Sequence, residues 1–311
     1  MQVLNTVAPV FLIIAAGALL RRFNFMSDAQ FSGLNRLTYW VGLPCLLVNK
    51  IAGATSANHK AINVFLLMLS VTLTGMLLSW LVALVLRIPR VSASAVVHAG
   101  FRGNLAFVGL PIAIYTASSL NSGGQSELTT LAVLSLAPMV VFFNVTSVIV
   151  LLLGAHKLGK EGLVRMAGEL AINPLLIASV LGLLLLAAGI HLQPALDRTT
   201  AAIGQMSLPL ALIAIGASLV TVKVRGSVFH ALIGALFKVG VLPLLGWLAL
   251  RLVPLGPAES QIAIIYLSTP TAVASYVLAE QLQGDVATTA GAIVASTLLS
   301  VVSLSLAVAF G

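Results

Sequence analysis

Few side chains in this sequence can do chemistry, and most of them fall in two short stretches. HAGFRGNLAFVGLPIAIY, from His98, holds His98, Arg102 and Asn104, followed by Gly109 and Pro111. YLSTPTAVASY, from Tyr266, clusters Ser268, Thr269, Pro270 and Thr271. Outside them, Asn144 lies in VVFFNVTSV and Lys238 in an apolar run. The Asn104 carboxamide both donates and accepts, so it suits contact with a carboxylate, and it equally suits capping a half-helix. Thr269 and Thr271 either donate to a solute or bond their own helix backbone. Arg102 and Lys238 are cations among apolar residues, each costing about 2.5–3.5 kcal/mol at the centre of a membrane helix. Arg102 either pairs with an anion or snorkels to an interface. Asn144 either reaches the same place from the side or makes an interhelical hydrogen bond. His98, four residues before Arg102 on one helical face, suits a proton relay or an interface position.

Several chemistries are excluded. There is no His/Asp cluster and no carboxylate pair inside an apolar run, so no catalytic residues are assigned and an enzyme is not expected. Glu127, Glu169, Glu259, Glu280 and Asp285 all fall near the ends of apolar runs, which counts against sodium or proton exchange at buried carboxylates. No G-x4-G-K-[ST] motif binds nucleotide. The one cysteine, Cys45, forms no intramolecular disulfide and reads as a small core residue; no metal and no cofactor is expected. The formal charge is +8, but the basic residues are scattered singly, which does not describe a nucleic-acid surface.

The elements that must position these residues are membrane helices. Of 311 residues, 59% are hydrophobic and 8% charged, and the mean hydropathy is +1.11. A span needs roughly 20 apolar residues, so the chain has room for about ten with short loops, making the bilayer its chief partner. The apolar runs are Val3–Leu20, Leu37–Ala52, Ile62–Leu86, Ala93–Tyr115, Leu128–Leu153, Leu170–Ile190, Thr200–Val222, Val228–Val253, Gln261–Leu282 and Val286–Phe310. No basic leader precedes Val3, so the first run reads as a retained span. With both termini outside, Arg21, Arg22, Arg36, Arg87, Arg90, Lys157, Lys160, Arg165, Lys223 and Arg225 face the cytoplasm. Only Lys50, Lys60, Arg198 and Arg251 then face outward, the bias expected of positive-inside topology.

The prolines suggest a repeat. Pro9 and Gly17 fall opposite Pro174 and Gly182 at an offset of 165, and the same offset carries Leu43–Pro44 onto Leu208–Pro209. Proline is costly inside a helix, so such pairs in register point to two copies, residues 1–154 and 155–311. With five spans each, the second must be inverted. The offset also brings the fourth run to the ninth, with Gly103 and Asn104 near Pro270; both look broken. Paired interrupted helices in two repeats point to a transport site, and exposed half-helix N-termini favour an anion.

At these residues the chain resembles the auxin efflux carrier family, which includes plant PIN-type auxin exporters and bacterial permeases for dicarboxylates such as malate and malonate. Asn104, Gly109 and Pro111 are similar to the family's N-x4-G-x-P segment; Ser32, Gly33, Asn35 and Arg36 followed by Pro44 resemble the start of its second helix; Lys238 with Pro243, and Pro270, extend the match. The resemblance implies an all-α polytopic membrane protein: ten transmembrane helices in two inverted five-helix repeats, with broken helices 4 and 9 crossing as in sodium/proton antiporters and bile-acid symporters. Helices 1, 2, 6 and 7 would form a scaffold, often the surface of a homodimer. Helices 3–5 and 8–10 would form a transport domain moving as an elevator. The substrate would be a small carboxylate, with an ion-coupled symporter or antiporter on the same fold as the alternative. Gly103 departs from the plant pattern, which has proline there; glycine also unwinds a helix. Lys238 then stands where a related transporter would bind sodium, either neutralising the half-helix ends or binding substrate directly. Pro44 and Pro209 mark further breaks. The short connection from Ala155 to Glu169 describes a compact prokaryotic-type permease of the cell membrane.

Overall fold

The computed structural model describes residues 2–53, 59–118, 125–155, 168, 171–221, 227–253 and 255–310. Lys157, Lys160, Arg165, Glu169, Lys223 and Arg225 lie outside the described residues. The regular elements are α1 (Gln2–Arg22), α2 (Asp28–Leu37), α3 (Leu43–Ala52), α4 (His59–Val85), α5 (Arg90–Phe101), α6 (Leu110–Ser118) and α7 (Gln125–Gly154). They continue with α8 (Pro174–Ala187), α9 (Pro194–Thr221), α10 (Val228–Leu236), α11 (Leu242–Leu252), α12 (Pro257–Leu267), α13 (Ala274–Gln281) and α14 (Val286–Phe310). Among the described residues the only strand-like pairing is one isolated bridge, Gly103 to Thr271. Among the described residues, five helices are long and apolar enough to cross a membrane: His59–Val85, Leu128–Gly154, Pro194–Val220, Val228–Leu252 and Val286–Phe310.

Among the described residues, three five-residue π turns interrupt the helices: Thr38–Gly42 between α2 and α3, Leu105–Gly109 leading into α6, and Phe237–Val241 between α10 and α11. Each is followed by Leu-Pro: Leu43–Pro44, Leu110–Pro111 and Leu242–Pro243. In each case the leucine N–H reaches back five residues, to the carbonyls of Thr38, Leu105 and Phe237. The physical cause is the proline ring. It would strike the carbonyl four residues earlier and offers it no donor, and widening the helix by one residue removes that carbonyl from the collision. Pro209, inside α9, has no such turn.

The apolar run expected from Leu37 begins nine residues earlier, because α2 is polar on one side. Ser27 and Gln30 form its capping box, with the Gln30 side chain accepting from the Ser27 N–H at 2.7 Å. The fourth and ninth runs are each two helices, α5 with α6 and α12 with α13, separated by extended residues.

Small residues set the packing, as membrane helices require. α1 lies along α9, where a Cβ on Gly17 would overlap the Ile213 backbone and one on Gly216 the Ile14 backbone. α8 lies against α3, where a Cβ on Gly182 would come within 2.8 Å of the Ile51 Cβ. α10 packs on α5 and α14, with Gly234 facing Ala99 and Ala292. Polar pins are few. Asn49 Nδ2 donates to Asp197 Oδ1 at 2.7 Å, tying α3 to α9. Asp285 caps α14, accepting from the Thr288 N–H at 2.9 Å, and also accepts from the Ser92 hydroxyl of α5 at 2.7 Å.

Candidate functional site

The two broken helices meet at their breaks. Arg102 leaves α5 with φ −77° and ψ 94°, and the chain runs antiparallel to the segment between α12 and α13. The Asn104 N–H donates to the Pro270 carbonyl at 2.8 Å and the Ala272 N–H to the Arg102 carbonyl at 2.9 Å. Gly103 sits where no side chain fits: a Cβ would stand 2.6 Å from Thr269 Oγ1 and 2.9 Å from Lys238 Cε. This close approach is why glycine occupies the crossing. Gly109 is similarly pressed, its absent Cβ falling 2.7 Å from the Tyr266 ring.

A helix end inside a membrane leaves carbonyls without partners, and here several of them find one. At the end of α12 the Tyr266 carbonyl accepts from Thr269 Oγ1 at 2.7 Å, the Leu267 carbonyl from Lys238 Nζ at 2.6 Å, and the Ser268 carbonyl from Ser303 Oγ at 2.9 Å. At the end of α5 the Ala99 carbonyl accepts from Thr271 Oγ1 at 2.8 Å. The Thr271 N–H donates to Ser296 Oγ at 3.0 Å. Thr269 and Thr271 therefore direct their hydroxyls to helix carbonyls, and both are fully buried. Lys238, 1% exposed, enters from the π turn between α10 and α11. Ser296 and Ser303 on α14 escaped the sequence reading. Their signal is the spacing of Ser296, Ser300 and Ser303, one polar stripe along an otherwise apolar helix.

Beside the crossing lies a cavity of about 630 Å³. It is lined by Arg102, Gly103, Asn104, Leu105, Ala106 and Phe107, by Val140, Phe143, Asn144 and Val148 of α7, and by residues 272–274, Val277 and Leu278 leading into and along α13. The lining also includes Ser32, Asn35, Arg36, Tyr39 and Trp40 of α2 and its π turn, residues 172–175 opening α8, and Ile215 of α9. Arg102, 8% exposed, does not snorkel: its Nη2 donates to Asn144 Oδ1 at 2.8 Å, which holds the guanidinium at the cavity. Asn104 is 5% exposed and lines the same space, and its side chain caps no helix end. Asn173 accepts from the Leu175 and Leu176 N–H groups and so caps α8 at the cavity wall. The described lining residues include two charged groups, Arg36 and Arg102, and no carboxylate.

Of the residues singled out in the sequence, Gly103, Thr269, Pro270, Thr271 and Lys238 converge at the crossing, while Arg102, Asn104 and Asn144 converge on the cavity. His98 reaches neither an interface nor the cavity. It is fully buried, its ring 5.9 Å from Phe101, and neither ring nitrogen has a hydrogen-bond partner among the described residues. Gly109 ends the π turn leading into α6 and Pro111 follows it within α6, Pro44 follows the π turn beside the cavity, and Pro209 lies within α9.

No curated protein matches the chain. The model of one family, described as membrane transport protein, matches residues 2–308. The apolar helices, the paired breaks and the cavity beside them agree with that match, and the chain belongs to the membrane transport protein family, the auxin efflux carrier-like transporters.

Proposed function

We propose that this membrane transporter is a secondary carrier of small organic anions, carboxylates in particular. The observation that carries the reading is the cavity: Arg102, fixed by Asn144, and Asn104 share a space whose described lining holds no acidic residue. A guanidinium and a carboxamide together offer a carboxylate several donors, and a cavity of one sign concentrates the opposite one.

Movement would follow the two-repeat plan, ten spans in two inverted halves with α1, α2–α3, α8 and α9 as scaffold and the rest as an elevator. Two glycines support it. Gly17 seats the first span on the seventh, and Gly182, its partner in the repeat, seats the sixth on the second, the exchange that a pseudo-twofold axis produces. Lys238 would serve as the fixed cation for the α12 C-terminus, a role supported by its bond to the Leu267 carbonyl. Among the described residues the buried carboxylate Glu259 sits at the start of α12, accepting from the Gly256 N–H at 2.9 Å, so the ion-coupled alternative has no carboxylate at the crossing. Both termini would lie outside, and a second copy would dock through the scaffold.

The test is a thermal-shift and radiolabel uptake screen of the purified protein in liposomes. Mono- and dicarboxylates and indole-3-acetate are compared with cations and neutral sugars. At least one carboxylate should bind and be carried by the wild type and not by Asn104→Ala. Binding of cations or sugars with no carboxylate bound would overturn the reading.

A further inference from the structure

The stretch Ser32, Gly33, Asn35, Arg36 was notable in the sequence, yet the crossing makes no use of it. In the structure Ser32, Asn35, Arg36 and Tyr39 fall at positions i, i+3, i+4 and i+7 of one helix and its π turn, which places them on one face. All four line the cavity that Arg102 and Asn104 also line. The polar start of α2, which hid this helix from a hydropathy reading, is thus turned toward the cavity.

The ends of the neighbouring elements show where this face lies. α2 begins at Asp28, α7 ends at Gly154 and α8 begins at Pro174, and each contributes to the lining near that end: Ser32, Val148 and residues 172–175. The cavity therefore extends toward the side where α2 begins. At a rise of 1.5 Å per residue, Ser32 to Trp40 covers about 12 Å of its depth. Arg36 is exposed, whereas Arg102 is buried at the crossing. Tyr39 stands about one turn further along the same face than Arg36.

We propose that Arg36, flanked by Asn35 and Ser32, is a capture subsite for the substrate's anionic group, separate from the deeper Arg102–Asn104 site. An anion arriving from that side is first held by an exposed guanidinium on α2 and then passes to the buried one. The proposal rests on the anion-carrier reading above. Because Arg36 is exposed near the start of α2 while Arg102 is buried at the crossing, it makes a one-sided demand: Arg36 matters for solute offered at the face where α2 begins and not for solute offered at the other.

The experiment uses the full-length protein in right-side-out and inside-out membrane vesicles, with [14C]malonate and [14C]indole-3-acetate as probes. Arg36→Gln should raise the half-saturating concentration about tenfold at the face where α2 begins. It should leave the maximal rate, and the half-saturation at the opposite face, within about twofold of wild type. The wild type should lose affinity with rising salt at that face because steering of this kind is screened, and Arg36→Gln should flatten this dependence while Arg36→Lys preserves it. An equal change at both faces, or none, overturns the subsite while the carrier reading stands. Carriage of neither probe and of no other carboxylate in the screen overturns both. Melting temperatures of the variants, expected to match wild type for an exposed side chain, exclude misfolding as the cause.

Discussion

Asn104 and Lys238 are both polar groups in an apolar interior, and their surroundings give them opposite tasks. The Asn104 carboxamide caps no helix and faces the cavity, so Asn104→Ala should remove transport at least tenfold while shifting the melting temperature by no more than a few degrees. Lys238 donates to the last carbonyl of α12. Lys238→Met leaves that carbonyl buried without a partner, a loss of about 1–3 kcal/mol, and should lower the melting temperature as well as the rate. Gln at the same position should recover part of the stability by donating again. Asp285 supplies a pH dependence. Burial disfavours its charge, but the Thr288 N–H, the Ser92 and Thr288 hydroxyls and the nearby His230 together hold its carboxyl below the usual range. A lowered value in the folded state stabilises the protein above the unfolded value, near 4, and that stability is lost as the pH falls through the folded value. The melting temperature should therefore drop on acidification below about pH 4, with a smaller drop in Asp285→Asn.

Among elements, the π turns were the least legible in the sequence. Proline positions suggested breaks at Pro44, Pro111 and Pro209, yet two of these and Pro243 sit behind a widened turn, and Pro209 does not. Nothing in the residue types at Leu208–Pro209 distinguishes it from Leu43–Pro44; the difference arises in packing, which a single sequence does not display. Helix start signals have the reverse property. The capping box at Ser27 and Gln30 was present in the sequence, and apolar windows passed over it because α2 mixes polar and apolar faces. The fourth and ninth breaks were legible because glycine, asparagine and proline punctuate them. The hydroxyl partners on α14 were not, since serine in an apolar helix usually bonds its own backbone. The π turn before α6 gives a test. Pro111→Ala restores the missing donor, so the turn should close to ordinary helix, a change of one residue and about 100° in register. Transport should then fall at least tenfold with the melting temperature unchanged or raised, because Phe107 and Leu105 leave the cavity wall.

At the scale of the whole molecule, composition alone placed the chain in a membrane, and the family match over residues 2–308 makes it a transporter. The orientation rests on scattered basic residues, several of them outside the described segments. Single cysteines introduced in a Cys45→Ser background test it directly. Lys60→Cys should react with a membrane-impermeant maleimide on intact cells, and Arg87→Cys only after permeabilisation. The reverse pattern would turn the protein over.

The bridge between Gly103 and Thr271 has a bearing on leakage. A proton or small ion slips through a protein along a file of water molecules, and such a file needs polar groups left without partners. At the crossing, the Asn104 and Ala272 N–H groups and the Pro270, Arg102, Leu267 and Ser268 carbonyls all bond within the protein. Two unwound backbones thus pass each other at the crossing with these polar groups already satisfied. A water file should therefore form in the cavity alongside more readily than between these bonded backbones.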